Sequence, residues 1–174
     1  WAVRSTMRRR KFGVSEFEMR SYPARPGGAV EGIVRVSRAI EASDGFHVRL
    51  TCLRRTVCRS GSDRNVRENV LFQEEHVVER ELDEFATDRT SIPISVNVPS
   101  DVSPTNIAKP DNQVLWMLEV SAKVFGVDYS ASFDVPVFDV AEDDLVVRDD
   151  LTVPETDADD WAGRYKRRED SVDE

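Results

Sequence analysis

Two cysteines and two histidines are all that 174 residues supply of the side chains most used for metal binding and nucleophilic attack. Cys52 and Cys58 lie within one apolar-alternating segment, and an unbroken strand between them sets the two thiols roughly 20 Å apart, too far for a disulfide. No disulfide framework is expected, and a reducing compartment fits. His47 and His76 each fall in a strand candidate, and no CxxC or HxxxH spacing joins them to the cysteines, so no metal site is expected. Ser62 sits in Gly-Ser-Asp rather than in a GxSxG elbow. Gly27 and Gly28 lack the lysine and spacing of a phosphate loop. The Asp-Val-Ala-Glu-Asp-Asp run (139–144) has neither the alternating ligands nor the glycine of a calcium loop. Glu74 and Glu75 alternate across a strand and face opposite ways, which spoils a two-carboxylate mechanism. Neither catalysis nor a cofactor is expected.

Also missing are an Asn-X-Ser/Thr acceptor and any stretch long and apolar enough to cross a bilayer. Positive charge is not in excess: the formal net charge is −9. All of that excess lies beyond Phe138, where 14 acids face 5 bases, while residues 1–138 carry 19 of each. Bases mixed with acids, and not interleaved with aromatics, argue against a nucleic-acid partner.

What is present is alternation. Phe46, Val48, Leu50 and Cys52 share one face, as do Ile92, Ile94, Val96 and Val98. The pattern is strongest in Val114, Trp116, Leu118, Val120, Ala122 and Val124, and again in Tyr129, Ala131, Phe133, Val135 and Val137. A period of two is what a half-buried antiparallel strand requires. Strands are expected over 12–19, 29–37, 46–57, 66–78, 91–98, 113–124 and 129–138. A hairpin tip is expected at 60–65, an acidic connector with at most one helical turn at 79–88, and a long Pro-punctuated loop at 99–112. Gly32 marks a bulge or a close backbone approach, Pro93 an edge strand or a strand's start, and the 66–78 segment needs a bulge to reset its register. The fold class is all-β, a two-layer antiparallel β-sandwich of about seven or more strands, immunoglobulin-like or arrestin-like.

Three regions follow: a basic juxtamembrane arm over 1–11, the sandwich over 12–138, and an acidic, largely disordered tail over 139–174. The chain opens on Trp1 rather than Met, as a fragment or processed product would. Trp1 and the cluster Arg8, Arg9, Arg10 and Lys11 have the composition found just cytoplasmic of a transmembrane helix, or of a flexible basic arm. Within the tail, Asp-Asp-Trp-Ala-Gly-Arg-Tyr-Lys-Arg-Arg (159–168) is a candidate linear docking motif. Arg49, Arg54, Arg55, Arg59, Arg64 and Arg67 cluster on the third and fourth strands, followed by seven acids between Glu68 and Glu84. Cross-strand pairing of opposite charges is one reading. An arginine-rich face accepting an acidic segment, such as this chain's own residues 139–160, is the other.

The order of these signals carries a resemblance. Ile-Pro-Ile-Ser-Val-Asn-Val-Pro (92–99), then Pro104 and Thr105, then Val-Leu-Trp-Met-Leu-Glu-Val (114–120) and Phe-Asp-Val-Pro-Val-Phe (133–138) resemble the arrestin-like sandwich. Over residues 11–138 the chain looks like the C-terminal soluble region of an uncharacterised bacterial membrane-protein family. The shared stretches are 11–19, 26–36, 44–55 and 126–138. This resemblance implies a transmembrane segment preceding Trp1, a domain facing the cytoplasm, and a non-enzymatic role in binding a protein partner. An extracytoplasmic ligand- or carbohydrate-binding sandwich is the alternative reading, and a self-associating homodimer the third.

Overall fold

A computed structural model describes residues 11–60, 63–78 and 89–151. The alternating segments form two antiparallel sheets. The smaller sheet has the order β1–β3–β6, from β1 (Ser15–Met19), β3 (Ala29–Val36) and β6 (Thr90–Asn97). The larger has the order β5–β4–β7–β8, from β4 (Phe46–Ser60), β5 (Asp63–Val78), β7 (Asn112–Ala122) and β8 (Tyr129–Asp134). A two-stranded pairing of β2 (Ser21–Tyr22) with β9 (Val146–Val147) lies beside them.

The inward faces meet in one core. Val30, Val34 and Val36 of β3 and Ile92, Ile94 and Val96 of β6 are buried against Phe46, Val48, Leu50 and Cys52 of β4. Trp116, Leu118 and Val120 of β7 complete the larger sheet's contribution. The architecture is therefore the expected two-layer sandwich, and Pro93 indeed lies on an edge strand, where its missing N–H disrupts no ladder. Gly32 marks a close approach: a Cβ there would collide with the Glu18 carbonyl oxygen and the Phe17 ring.

The elements differ from the expected boundaries in four places. The first strand begins at Ser15, because Gly13, at φ 74°, turns the chain and drops Phe12 into the core against Tyr129, with ring centroids 5.4 Å apart. The hairpin of β4 and β5 is longer than its hydrophobic pattern, pairing as far as Ser60 with Asp63. Backbone pairing needs no apolar side chains, so alternation ends before the ladder does. The last inward strand stops at Asp134; Val135 to Val137 then cross over, and Val137 bridges Ala24 in parallel. Finally, packed structure continues past Phe138 to Leu151, which is buried against Ile33 on the outer side of the smaller sheet. The basic residues Arg8, Arg9 and Arg10, the 79–88 connector, Ser62 and the 159–168 motif lie outside the described residues.

Candidate functional site

The β4–β5 hairpin is a ribbon that outruns its own sheet. β7 pairs with β4 only as far as Asn112 opposite Thr56, whereas β4 and β5 continue together to Ser60 and Asp63. Beside Cys52, the ladder opposes Cys52 to Phe72 and Leu53 to Val70, which leaves Leu71 as the extra residue of a bulge. This is the register reset that the 66–78 pattern required. It keeps Phe72 inward, its ring 5.7 Å from Trp116, and turns Val70 outward.

Alternation then divides the arginines that the sequence groups together. On the outer face, Arg49 Nη2 lies 2.9 Å from Glu75 Oε2 and Arg49 Nη1 3.5 Å from Glu119 Oε2. Arg55 Nε lies 3.8 Å from Glu68 Oε1, an ion pair too long for a hydrogen bond. Cross-strand charge pairing is what this face shows. Arg54 occupies the inner face, in line with Phe46, Val48, Leu50 and Cys52, but beyond the point where the sandwich closes over that face. Its ladder neighbours are Asn69 and Val114, both uncharged. Arg67 stands opposite Thr56 and so shares the inner face. Among the described residues neither Arg54 nor Arg67 has a hydrogen bond or an ion pair. The register sets Arg59 opposite Arg64 near the tip.

Arg54 lines a cleft of about 330 Å³ together with Asn112 and Val114 of β7 and a wall formed by Ser103 to Asn106. That wall is fixed from below. Trp116 Nε1 donates to the Ser103 carbonyl at 3.0 Å, Thr105 N donates to the Val137 carbonyl at 2.7 Å, and Asn106 exchanges backbone bonds with Val114. Asn106 Oδ1 also accepts from Ala108 N at 3.1 Å. Nothing but the Pro-punctuated composition of 99–112 hinted at this wall, because its hydrogen bonds are made by backbone groups.

The titratable groups nearby are tuned by burial. Desolvation pushes the Cys52 thiol up to about 11, against the opposing pull of Arg54. Glu74, on the inward side opposite Leu50, is raised by burial, and His76, opposite Val48, is lowered by the same cause. Both cysteines are free thiols, Cys52 buried and Cys58 exposed. His47 is half-exposed, its Nδ1 3.6 Å from Glu75 Oε1. Among the described residues no three metal-ligating side chains come together.

Two other sequence-derived sites are placed. Lys11 Nζ donates to the Phe125 carbonyl at 2.6 Å and the Val127 carbonyl at 3.2 Å, which ties the end of the basic arm to the β7–β8 loop. Phe125 itself is 99% exposed there. The acidic segment from Asp139 onwards runs beside the smaller sheet: β9 pairs with β2, Arg148 N donates to the Arg20 carbonyl at 2.7 Å, and Leu151 covers Ile33. Residues 139–151 therefore lie on the layer opposite the arginines, and residues 152–160 of the acidic segment weighed as their cover lie outside the described residues.

These features define a β-sandwich with a projecting, two-faced ribbon and a polar cleft at its root. No family model matches the chain, and no curated protein matches its sequence. Among solved structures it is similar to Spo0M, a sporulation control protein of Bacillus subtilis, at 15% identity and a TM-score of 0.43, over 74% of this chain and 51% of that one. The chain thus spans about half the length of that relative. It is similar also to AggA, the major subunit of the aggregative adherence fimbriae type I of Escherichia coli, at 10% identity and a TM-score of 0.23, over 72% of this chain and 96% of that one.

Proposed function

We propose that this chain is a non-enzymatic protein-interaction domain of a membrane-anchored bacterial protein, held on the cytoplasmic side, and that the β4–β5 ribbon is its contact surface. The observation that carries this is the ribbon's reach. β5 has sixteen residues, and it is the terminal strand of its sheet. An outer edge of that kind offers main-chain donors and acceptors to an added strand. Its exposed Val66, Val70 and Val77 give such a strand apolar contact. The arrestin-like resemblance of 92–99, 114–120 and 133–138 points the same way, and the Arg8–Lys11 cluster suits a membrane-proximal position.

The test is site-specific photocrosslinking in the intact membrane protein, with the photoreactive residue at Asn65 on the ribbon or at Glu16 on β1. A discrete adduct from position 65 and none from position 16 is expected. Equal adducts from both, or none from position 65, would overturn the reading. Reporter fusions to the full-length protein test the orientation, with a cytoplasmic reporter expected to be active. The second reading, an extracytoplasmic ligand- or carbohydrate-binding sandwich, is favoured by the polar cleft beside Asn106 and Asn112; an active periplasmic reporter would select it.

A further inference from the structure

We infer that the inner face of the β4–β5 ribbon binds an extended acidic peptide, with Arg54 and Arg67 each taking one carboxylate of an i, i+2 pair; this rests on the interaction-domain reading. Guanidinium groups present a planar fork of donors that matches a carboxylate, and they remain charged at any physiological pH. Six other bases of the described surface already face acids: Arg20 with Glu31, Arg35 with Glu18, Arg49 with Glu75, Arg55 with Glu68, Lys123 with Asp44, and Arg148 with Asp150. Lys11 and Arg38 bond backbone carbonyls instead, and among the described residues Arg89, Lys109, Arg54 and Arg67 make no ion pair; of these, Arg54 and Arg67 stand together on one ladder face.

The ladder positions around them add no acid. The inner-face ladder positions around them are Thr56, Cys58, Asn65 and Asn69. The turn at the rim brings Lys109 and Asp111, one charge of each sign. Arg67 is the diagonal neighbour of Arg54 across the ladder, which sets the two about 7–8 Å apart. An extended peptide presents same-side residues every two positions, about 6.5–7 Å apart. The two spacings agree. Asn106 and Asn112, which line the cleft with Arg54, are placed to bond the peptide's main chain, and the backbone-anchored wall holds the cleft open without the peptide.

The experiment uses the whole 174-residue chain and a fluorescein-labelled Ser-Glu repeat peptide, with a Ser-Gln repeat as the neutral control. By anisotropy at low salt, the Ser-Glu peptide is expected to bind and the control to bind at least tenfold more weakly. Arg54→Gln and Arg67→Gln are each expected to weaken binding about tenfold, as loss of one charge-assisted contact does. Arg49→Gln, on the outer face, is expected to change it less than twofold. Exposed Cys58 gives a readout that needs no variant: its alkylation is expected to slow in the presence of the Ser-Glu peptide alone, while buried Cys52 stays unreactive. Equal weakening by Arg49→Gln, or no protection of Cys58, would overturn the inference. If the Ser-Glu peptide fails to bind while the position-65 crosslink persists, acidic recognition falls and the interaction-domain reading stands. If both fail, both fall.

Discussion

On the outer face of the β4–β5 ribbon, Arg49 and Arg55 are met by Glu75, Glu119 and Glu68; on the inner face, the ladder partners of Arg54 and Arg67 are the uncharged Asn69, Val114 and Thr56. Arg54 and Arg55 are adjacent in sequence, yet one lines a polar cleft and the other sits in a neutralised lattice. The pleat is the cause, since it turns successive side chains to opposite sides. A cluster of like charges on a strand is therefore two clusters, and only the one without counter-charges is available to a partner. The outer pairs are half-exposed, so each stabilises the fold by at most about 1 kcal/mol.

The comparison breaks most severely if the root of the ribbon is lost. Trp116→Ala removes a fully buried indole that packs on Phe72 and holds Ser103. A loss of about 3–5 kcal/mol is expected in urea unfolding. Trp116→Phe sharpens the point. It keeps most of the apolar contact but drops the bond to Ser103, and should lose about 1 kcal/mol while loosening the cleft.

Leu151→Ala acts on the opposite layer. Among the described buried apolar residues Leu151 clusters with Ile33 alone, so a loss of about 2 kcal/mol is expected, at the low end for buried leucines. Ser-Glu peptide affinity should be unchanged, because the ribbon lies on the other sheet. A matching loss of affinity would show that the layers are coupled.

Protonation gives a smaller effect. Burial lowers the His76 pKa from 6.5, so the unfolded chain takes up this proton at a higher pH than the folded chain does. The stability tied to neutral His76 is thus fully present above pH 6.5 and declines as pH falls below it, through the lowered folded value. His76→Gln should flatten the melting-temperature profile just below pH 6.5. Glu74 has the opposite sign: its raised pKa means that protonation favours the folded chain as pH falls through the folded value towards 4.5.

The smallest effects separate the faces directly. Arg49→Gln should lower stability by about 0–1 kcal/mol, and added salt should shrink the difference. Arg54→Gln, which breaks no ion pair, should leave the melting temperature unchanged.

Much of this fold is written in side chains that repeat every second position. Trp116, Leu118 and Val120 could hardly be anything but an inward strand face, and Pro93 marked its strand as an edge. The ribbon's length was hidden because exposed Cys58 and Asn65 pair through backbone and carry no apolar pattern. The continuation to Leu151 had one signal, the Leu-Val-Val run at 145–147, which an acidic setting masks. The arginines were legible as residues of the third and fourth strands. On β4 the alternation alone divided them, but the face of Arg67 depends on the bulge at Leu71, and the opening beside Arg54 depends on where β7 stops. The cleft wall gave no signal beyond the Pro-punctuated composition of 99–112, since its geometry rests on the Asn106–Val114 bridge and on carbonyl contacts.

The most direct measurement is an NMR titration of the arginine Nε–Hε resonances with the Ser-Glu peptide. Shifts at Arg54 and Arg67, with Arg49 unmoved beside Glu75, are the expected result. Movement of Arg49 with Arg54 and Arg67 stationary would contradict the assignment of the open face.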